Sequence, residues 1–524
     1  MRDFQYPGRS AVYATNGICA TSHPLAAKTA IDILQAGGNA ADAAIAAAVL
    51  LGICEPQMTG IGGDCFVLLK PAGEDRIVAL NGSGRAPAAQ DAAALRARGH
   101  DTVPLFDVDA VTLPGAVDAF CRLNGDWGRM ALADILAPAI HYADAGVPVA
   151  PRTAFDWARA QNLQGRARDH FLTGGQPLRA GQMFRAPEQA HALRLIAQQG
   201  RAGFYEGEVA QDIIGSLRAL GGTHTLDDLA ATRCDYADPI SGLYKGIELV
   251  EHAPNGQGAT ANLILNILSH FDIADLDPLG APRAHLEAEA TKLAYDARNR
   301  IIADPDHTSR LAHMLAPETA RALAALIAPD RVVADPARVT EAIHRDTVYL
   351  TVVDSNRMAV SLIYSIFHPF GSGLASEKFG ILFQNRGAGF TLQAGHPNEL
   401  QGGKRPMHTI IPGMLRENGR VTLPFGVMGG AYQPVGHARL VSNLTDFGQD
   451  LQSAIDAPRA FAENGTLTLE RPYPEATLRA LADIGHNVSY SDSPIGGAQA
   501  IALNSDGVLV GASDPRKDGC AIGY

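Results

Sequence analysis

The sequence predicts a mixed α/β (α+β) fold, with sheets covered by helices on their outer faces. Three observations carry this. Runs rich in Val, Ile, Thr and Tyr are interspersed with long helical patterns along the 524-residue chain, and such mixtures pack as layers about a shared core. Two of those runs, residues 346–354 and 358–365, flank Ser355-Asn356-Arg357, the pattern of a β-hairpin. A turn centred near Asn356 places Thr347 roughly across the ladder from Ser365. Finally, the glycines at 60–63 lead into a strand over 65–69. A dinucleotide loop has its glycines between a strand and a helix, so a Rossmann unit is excluded.

Taken in order, residues 11–23 read as a strand ending at Thr21-Ser22-His23-Pro24. Pro24 opens a helix through Leu34, with Gly37-Gly38 as its stop. Asn39 caps a second helix through Leu50, whose alanines permit close packing. The apolar run 40–53 is too short to span a bilayer and reads as a buried helix. Residues 130–232 are mostly helical, with Pro and Gly breaks. Strand signal returns over 239–252 and ends in Glu251-His252-Ala253-Pro254-Asn255-Gly256-Gln257-Gly258. A long helix covers 282–300. Residues 316–345 are a helix followed by a Pro- and Asp-containing approach to Thr347. Beyond it short strands dominate, with helices near 432–445, 450–457 and 475–485. Residues 507–516 read as a last strand and loop. There is no internal repeat and no low-complexity linker.

The length suggests two to four domains, or one large α/β unit. A net charge of −12 argues against a nucleic-acid partner, which would want a basic patch. No segment is apolar enough for a membrane span, and residues 1–7 lack the apolar core of a signal peptide, which points to the cytoplasm. The six cysteines are scattered with no CxxC pair, so buried free thiols are expected, without disulfides or zinc. Gly82-Ser83-Gly84 lacks the full GxSxG elbow, and no HExxH is present. No metal or cofactor is implied.

Further short motifs fall in a fixed order around the hairpin. Upstream stand Gly37-Gly38-Asn39-Ala40-Ala41-Asp42-Ala43, Gly60-Ile61-Gly62-Gly63-Asp64 and Arg85-Ala86-Pro87. Downstream stand His368-Pro369-Phe370-Gly371-Ser372-Gly373, Gly380-Ile381-Leu382-Phe383-Gln384-Asn385, Gly403-Lys404-Arg405-Pro406 and Gly429-Gly430. Together they make the chain resemble the γ-glutamyltransferase (glutathione hydrolase) family of N-terminal-nucleophile hydrolases over nearly its whole length. The resemblance implies an αββα sandwich assembled from both halves of a self-cleaved precursor. The cut would fall between Asp346 and Thr347, giving a large subunit of residues 1–346 and a small one of 347–524 in one compact catalytic unit. A threonine hydroxyl is a weak nucleophile until a base takes its proton, and a freed α-amine with a pKa of about 8 can do this. Thr347 would thus be nucleophile and base together. By the same resemblance Ser365 orients it, Gly429 and Gly430 supply oxyanion N–H donors, and Arg85 grips a substrate carboxylate with two parallel hydrogen bonds. His408 and Thr409 fill positions that are carboxylate-binding hydroxyls in typical members; Thr409 keeps a donor, His408 departs.

Other departures bear on specificity. Phe367, Arg386 and Gly389 stand where typical members hold the substrate's α-amino group, and none offers a side-chain acceptor. The span between Pro397-Asn398 and Lys404, which carries a lid in many relatives, is short. These features resemble the acylase and oxamate-amidohydrolase branch. The expected activity is that of a self-processing amidohydrolase, hydrolysing an amide of a small carboxylate-bearing acyl donor through a threonyl acyl-enzyme. The alternatives are a true γ-glutamyltransferase or glutathione hydrolase, an oxamate amidohydrolase, and an uncleaved, non-catalytic binding protein on the same fold. The expected partners are a small-molecule amide and the two subunits of one precursor, with no nucleic acid and no membrane. The oligomeric state stays open, a dimer of heterodimers being one arrangement.

Overall fold

Two seven-stranded sheets lie face to face in the computed structural model, which describes residue 5 and residues 8–333 and 347–524. The first sheet runs Val12–Ala14, Leu509–Ser513, Gly497–Leu503, Arg420–Met428, Gly413–Glu417, Ile247–Glu251, Ile240–Tyr244. The second runs Cys520–Gly523, Ile18–Thr21, Val348–Val353, Ala359–Ser365, Asp64–Lys70, Val78–Gly82, Asp235–Ala237. All pairings in both are antiparallel. Each sheet draws strands from both sides of position 347.

The helix Ala40–Cys54 covers the outer face of the second sheet and is buried along its entire length. Its alanines are the reason, since a small side chain lets helix and sheet backbones approach. Asn39 and Asp42 form a capping box. Asp354, in the hairpin turn, accepts the Ala40 N–H at 3.1 Å and ties the helix start to the hairpin. Helices Gly258–Leu268 and Gln433–Thr445 cover the first sheet. The layers are therefore αββα. Between the sheets Phe66, Tyr349, Ile363, Ile410 and Met428 pack together. The Tyr349 hydroxyl lies 2.7 Å from Ser361 Oγ, which donates across the gap to the Phe425 carbonyl at 3.1 Å. A Cβ on Gly426 would lie 2.3 Å from the Tyr349 ring, so only glycine fits there.

The first two helices form as expected, as Pro24–Gln35 and Ala40–Cys54. The strand expected over 11–23 is instead two, Val12–Ala14 in the first sheet and Ile18–Thr21 in the second. The chain changes sheet at Thr15-Asn16-Gly17, where a turn outweighs continuous strand propensity. The last strand, Cys520–Gly523, was not expected. The approach over 334–346, Asp346 included, lies outside the described residues. No helix among the described residues is long and apolar enough to cross a membrane. All six cysteines are free thiols.

Candidate active site

In the hairpin Val348 faces Tyr364, so Thr347 faces Ser365. The Thr347 hydroxyl donates to Ser365 Oγ at 3.2 Å, and both residues are buried. Ser365 Oγ also accepts the Phe367 N–H at 2.9 Å. This bond requires the chain to reverse sharply, and Phe367 takes a φ of +81° to do so. That conformation is uncommon outside glycine. The reversal lays the Phe367 ring against Arg386, whose guanidinium carbon sits 3.9 Å from the ring centroid.

Arg386 opens a short 3-10 turn, Arg386–Gly389, and is fully buried. One guanidinium nitrogen donates to Thr409 Oγ1 at 2.9 Å, and another reaches Ser365 Oγ at a long 3.5 Å. Its Nε has no hydrogen-bond partner among the described residues. Among the described residues no carboxylate lies within ion-pair distance of it. Burial pulls its pKa down to about 9, with the Asp64 charge opposing the shift, so it remains a cation at neutral pH. This buried cation, held among the described residues by hydroxyls and a ring face alone, is costly, and an arriving anion would much reduce that cost.

Asp64 organises the opposite wall. One oxygen accepts the Gly84 N–H at 2.9 Å, the Gly115 N–H at 3.3 Å and the Gln384 amide at 2.8 Å. The other faces His408 Nε2 at 3.0 Å. His408 Nδ1 accepts the Ile410 N–H at 3.3 Å, so Nε2 carries the proton toward Asp64. Burial, reinforced by Arg386, drives the His408 pKa down to about 3, and the ring is neutral. Of the His408-Thr409 pair, Thr409 is the member that touches Arg386.

Gly429 and Gly430 end the strand Arg420–Met428 in a turn with φ values of +127° and +55°, which glycine alone adopts cheaply. The Gln257 amide joins this turn to the Arg386 wall. It donates to the Thr409 carbonyl at 2.7 Å and to the Gly430 carbonyl at 3.1 Å. Its oxygen accepts from buried Arg298 at 2.7 Å.

Arg85 sits apart from this cluster. Its half-exposed guanidinium donates to Asp304 at 3.3 Å and to the Gly403 carbonyl at 3.0 Å, and lies 3.8 Å from Asp235. It lines a cavity with Arg405, Asn81 and Tyr236 whose wall includes none of Thr347, Ser365 and Arg386. Gly389 presents only backbone: Asn398 donates to its carbonyl at 2.6 Å, and a Cβ there would lie 2.7 Å from the Met407 oxygen. Asp64 and Gln257 stand inside sequence motifs but carried no expected role. Each acts through partners far away in the chain, and no local signal marks that.

One group among the described residues has metal-ligand spacing: His285, Glu289 and His486. Hydrogen bonds already account for it. His285 Nε2 donates to the Ala328 carbonyl at 2.7 Å, and its Nδ1 meets His486 Nε2 at 2.7 Å. Glu289 is held by Lys292 at 2.6 Å and by the Val333 N–H at 2.8 Å.

The family described as Gamma-glutamyltranspeptidase matches residues 26–524. The glutathione hydrolase-like YwrD proenzyme of Bacillus subtilis (strain 168) is 34% identical, covering 98% of this chain and 99% of its own length. The oxamate amidohydrolase proenzyme of Klebsiella pneumoniae subsp. pneumoniae is 35% identical, over 98% and 99%. The crystal structure of cephalosporin acylase from Bacillus halodurans superposes with a TM-score of 0.92 at 37% identity, over 100% of this chain and 99% of that one.

Proposed function

Because the chain belongs to the γ-glutamyltranspeptidase family, we propose that it cuts itself before Thr347 and then hydrolyses an amide whose acyl group carries a carboxylate. It is an enzyme of that family, a self-processing amidohydrolase. The observation supporting the carboxylate is Arg386, a buried cation with an unpartnered Nε beside the Thr347–Ser365 pair.

In maturation the Thr347 hydroxyl adds to the Asp346 carbonyl, and the acyl group moves from nitrogen to oxygen. Water opens the resulting ester, leaving an Asp346 carboxylate and a threonine with a free amine. In turnover that amine takes the Oγ proton while Oγ attacks the substrate carbonyl. Gly429 and Gly430 N–H groups meet the oxyanion. Collapse breaks the C–N bond, and the departing nitrogen takes the proton back from the ammonium. Water, deprotonated by the same amine, then frees the acid. Ser365 accepts from Thr347 and fixes its rotamer. Arg386 and Thr409 hold the acyl carboxylate, and Gln257 keeps that wall in register with the glycine turn.

The amine must be neutral to act, so kcat/KM is expected to rise with pH. The midpoint should lie no higher than about 8, because the nearby Arg386 cation favours the uncharged amine. A pH–rate profile flat from pH 6 to 9 would remove the amine as base.

Arg85 would serve as a second carboxylate ligand only if it left its contacts with Asp304 and Gly403 and turned out of its own cavity toward Arg386. Arg85→Ala is expected to raise KM for carboxylate-bearing donors about tenfold, or ~1.4 kcal/mol, with precursor cutting intact. The prior claim of Asp304 and the solvent exposure keep the effect small. An unchanged KM would make Arg85 a structural tie between Asp304 and Gly403.

The direct test is a panel of glutaryl, oxamate and γ-glutamyl amides against the processed protein. Turnover of a carboxylate-bearing donor supports the reading, and inertness toward all three overturns it.

A further inference from the structure

The proposed oxyanion turn is made of the two residues least able to hold a conformation by themselves. Gly429 and Gly430 have no side chain, and their φ values of +127° and +55° are two among many that glycine reaches cheaply. A donor that must be reoriented during the reaction loses the advantage of preorganisation. Much of what holds this turn comes from the helix Ala281–Ile301.

Tyr295 and Arg298 stand three residues apart in that helix and share a face. Both are buried, and the Arg298 guanidinium carbon sits 4.1 Å from the centre of the Tyr295 ring. The Tyr295 hydroxyl donates to the Ala431 carbonyl, inside the 3-10 turn Gly430–Tyr432. Burial pushes the Tyr295 pKa up, against the Arg298 charge, so the hydroxyl keeps its proton. Arg298 donates to Gln257 Oε1 at 2.7 Å, and that bond decides how the Gln257 amide lies. A guanidinium has donors and no acceptor, so it admits the amide oxygen alone. The amide nitrogen is thereby turned toward the Thr409 and Gly430 carbonyls. Reversed, the amide would set its oxygen against both of them. The Gln257 main chain is fixed as well, its N–H donating to the His408 carbonyl at 3.0 Å. Tyr432 completes the brace: its N–H donates to the Gly429 carbonyl at 3.0 Å and orients the peptide plane that carries the Gly430 N–H. Three successive carbonyls, of Gly429, Gly430 and Ala431, are thus held, the last two from one helix.

We propose that Tyr295 and Arg298 are positioning residues for the acyl-transfer reaction: through Ala431 and Gln257 they preset the Gly429 and Gly430 N–H groups for the oxyanion. This rests on the amidohydrolase reading above. Both residues precede the proposed cut and the turn follows it, so the larger piece would set the geometry of the smaller.

The test separates transition-state from ground-state binding in Tyr295→Phe, Arg298→Met and Arg298→Lys, with activity scaled to the processed fraction on a denaturing gel. For whichever donor of the panel above the wild type turns over best, Tyr295→Phe and Arg298→Met should lower kcat about tenfold or more, with KM within about twofold. Arg298→Lys, which keeps a donor for Gln257 Oε1, should recover most of the loss. Inhibition should show the same split. 4-Boronobutanoate, whose boron adds to the Thr347 hydroxyl as a tetrahedral anion, should bind Tyr295→Phe and Arg298→Met about tenfold or more weaker than wild type. Butyrate, the same chain and carboxylate without the boron, should bind all four proteins alike. An unchanged kcat in both Tyr295→Phe and Arg298→Met overturns the proposal. So does a loss of boronate matched by an equal loss of butyrate, the mark of a pocket merely loosened. Should Arg298→Met fail to fold, Tyr295→Phe decides alone, since it removes a single oxygen. A wild type inert to every donor would sink the amidohydrolase reading and this proposal with it; an active wild type with indifferent variants would sink this proposal alone.

Discussion

Thr347→Ala is expected to accumulate as one uncut chain, while the wild type separates on a denaturing gel into fragments 1–346 and 347–524. N-terminal sequencing of the smaller should read Thr-Val-Tyr. The expectation follows from the role of a single oxygen. Thr347 Oγ1 is buried against Ser365 and is the atom proposed both to cut the precursor and to carry the acyl group. Removing it should abolish maturation, and amide turnover should fall on the order of 10⁴-fold or more, the scale seen when a catalytic nucleophile is deleted. The fold should survive, because Thr347 lies at a strand end and alanine is smaller. Matching far-UV circular dichroism of the two proteins would establish this. Cutting that persisted in Thr347→Ala, or a small fragment starting elsewhere, would overturn the assignment.

The second large effect concerns what the acyl pocket accepts. A desamino donor, such as a glutaryl amide or a short oxo-acid amide, should exceed the matching γ-glutamyl amide by roughly tenfold or more in kcat/KM, about 1.4 kcal/mol. An α-ammonium placed here would meet the Arg386 guanidinium and the Phe367 ring, and neither side chain accepts a hydrogen bond. Like-charge repulsion and lost hydration then act together. Arg386→Gln should cost the desamino donor on the order of 100-fold, ~2.7 kcal/mol, as one charge-assisted contact in a buried site is lost. It should also narrow the gap between the two donors. Gly389→Asp, another way to restore an acceptor, is poorly suited, since its Cβ would press on the Met407 carbonyl. A wild-type preference for the γ-glutamyl amide would sink this account of the pocket and favour a glutathione hydrolase.

The sequence made the hairpin legible because its signal is local. β-Branched residues flank a polar turn, and that turn sets the register that brings Thr347 to Ser365. The helices at Pro24 and Asn39 were equally plain from their caps. The break at Thr15-Asn16-Gly17 was hidden, because both short strands have ordinary propensity and only their partners differ. Cys520–Gly523 is too short and too poor in β-branched residues to announce itself, and pairing with Ile18–Thr21 makes it a strand. At the site, the resemblance singled out residues one by one but not their relations. Nothing local places Phe367 under Arg386 or turns His408 toward Asp64. The links from Gln257 to Thr409 and to Gly430 span 152 and 173 residues of chain. Arg85 matches a motif, yet its nearest acids, Asp304 and Asp235, come from distant segments and draw it elsewhere.

The strand that follows Thr347 is not at an edge. One of its neighbours, Ile18–Thr21, comes from the start of the chain, and the other, Ala359–Ser365, from its own hairpin. On the proposed role of Thr347, its hydroxyl would be aimed at the bond before it only after residues more than 300 positions apart have paired. With the proposed cut before Thr347, self-cleavage would serve as a fold check written into covalent structure: a chain that had not closed its second sheet would stay whole and inert. Two pieces produced by that cut would remain threaded through both sheets, so neither could leave without opening the core. Such a break would change which atoms end the chain while leaving the fold's interlocking intact, a permanent record that the fold was once correct.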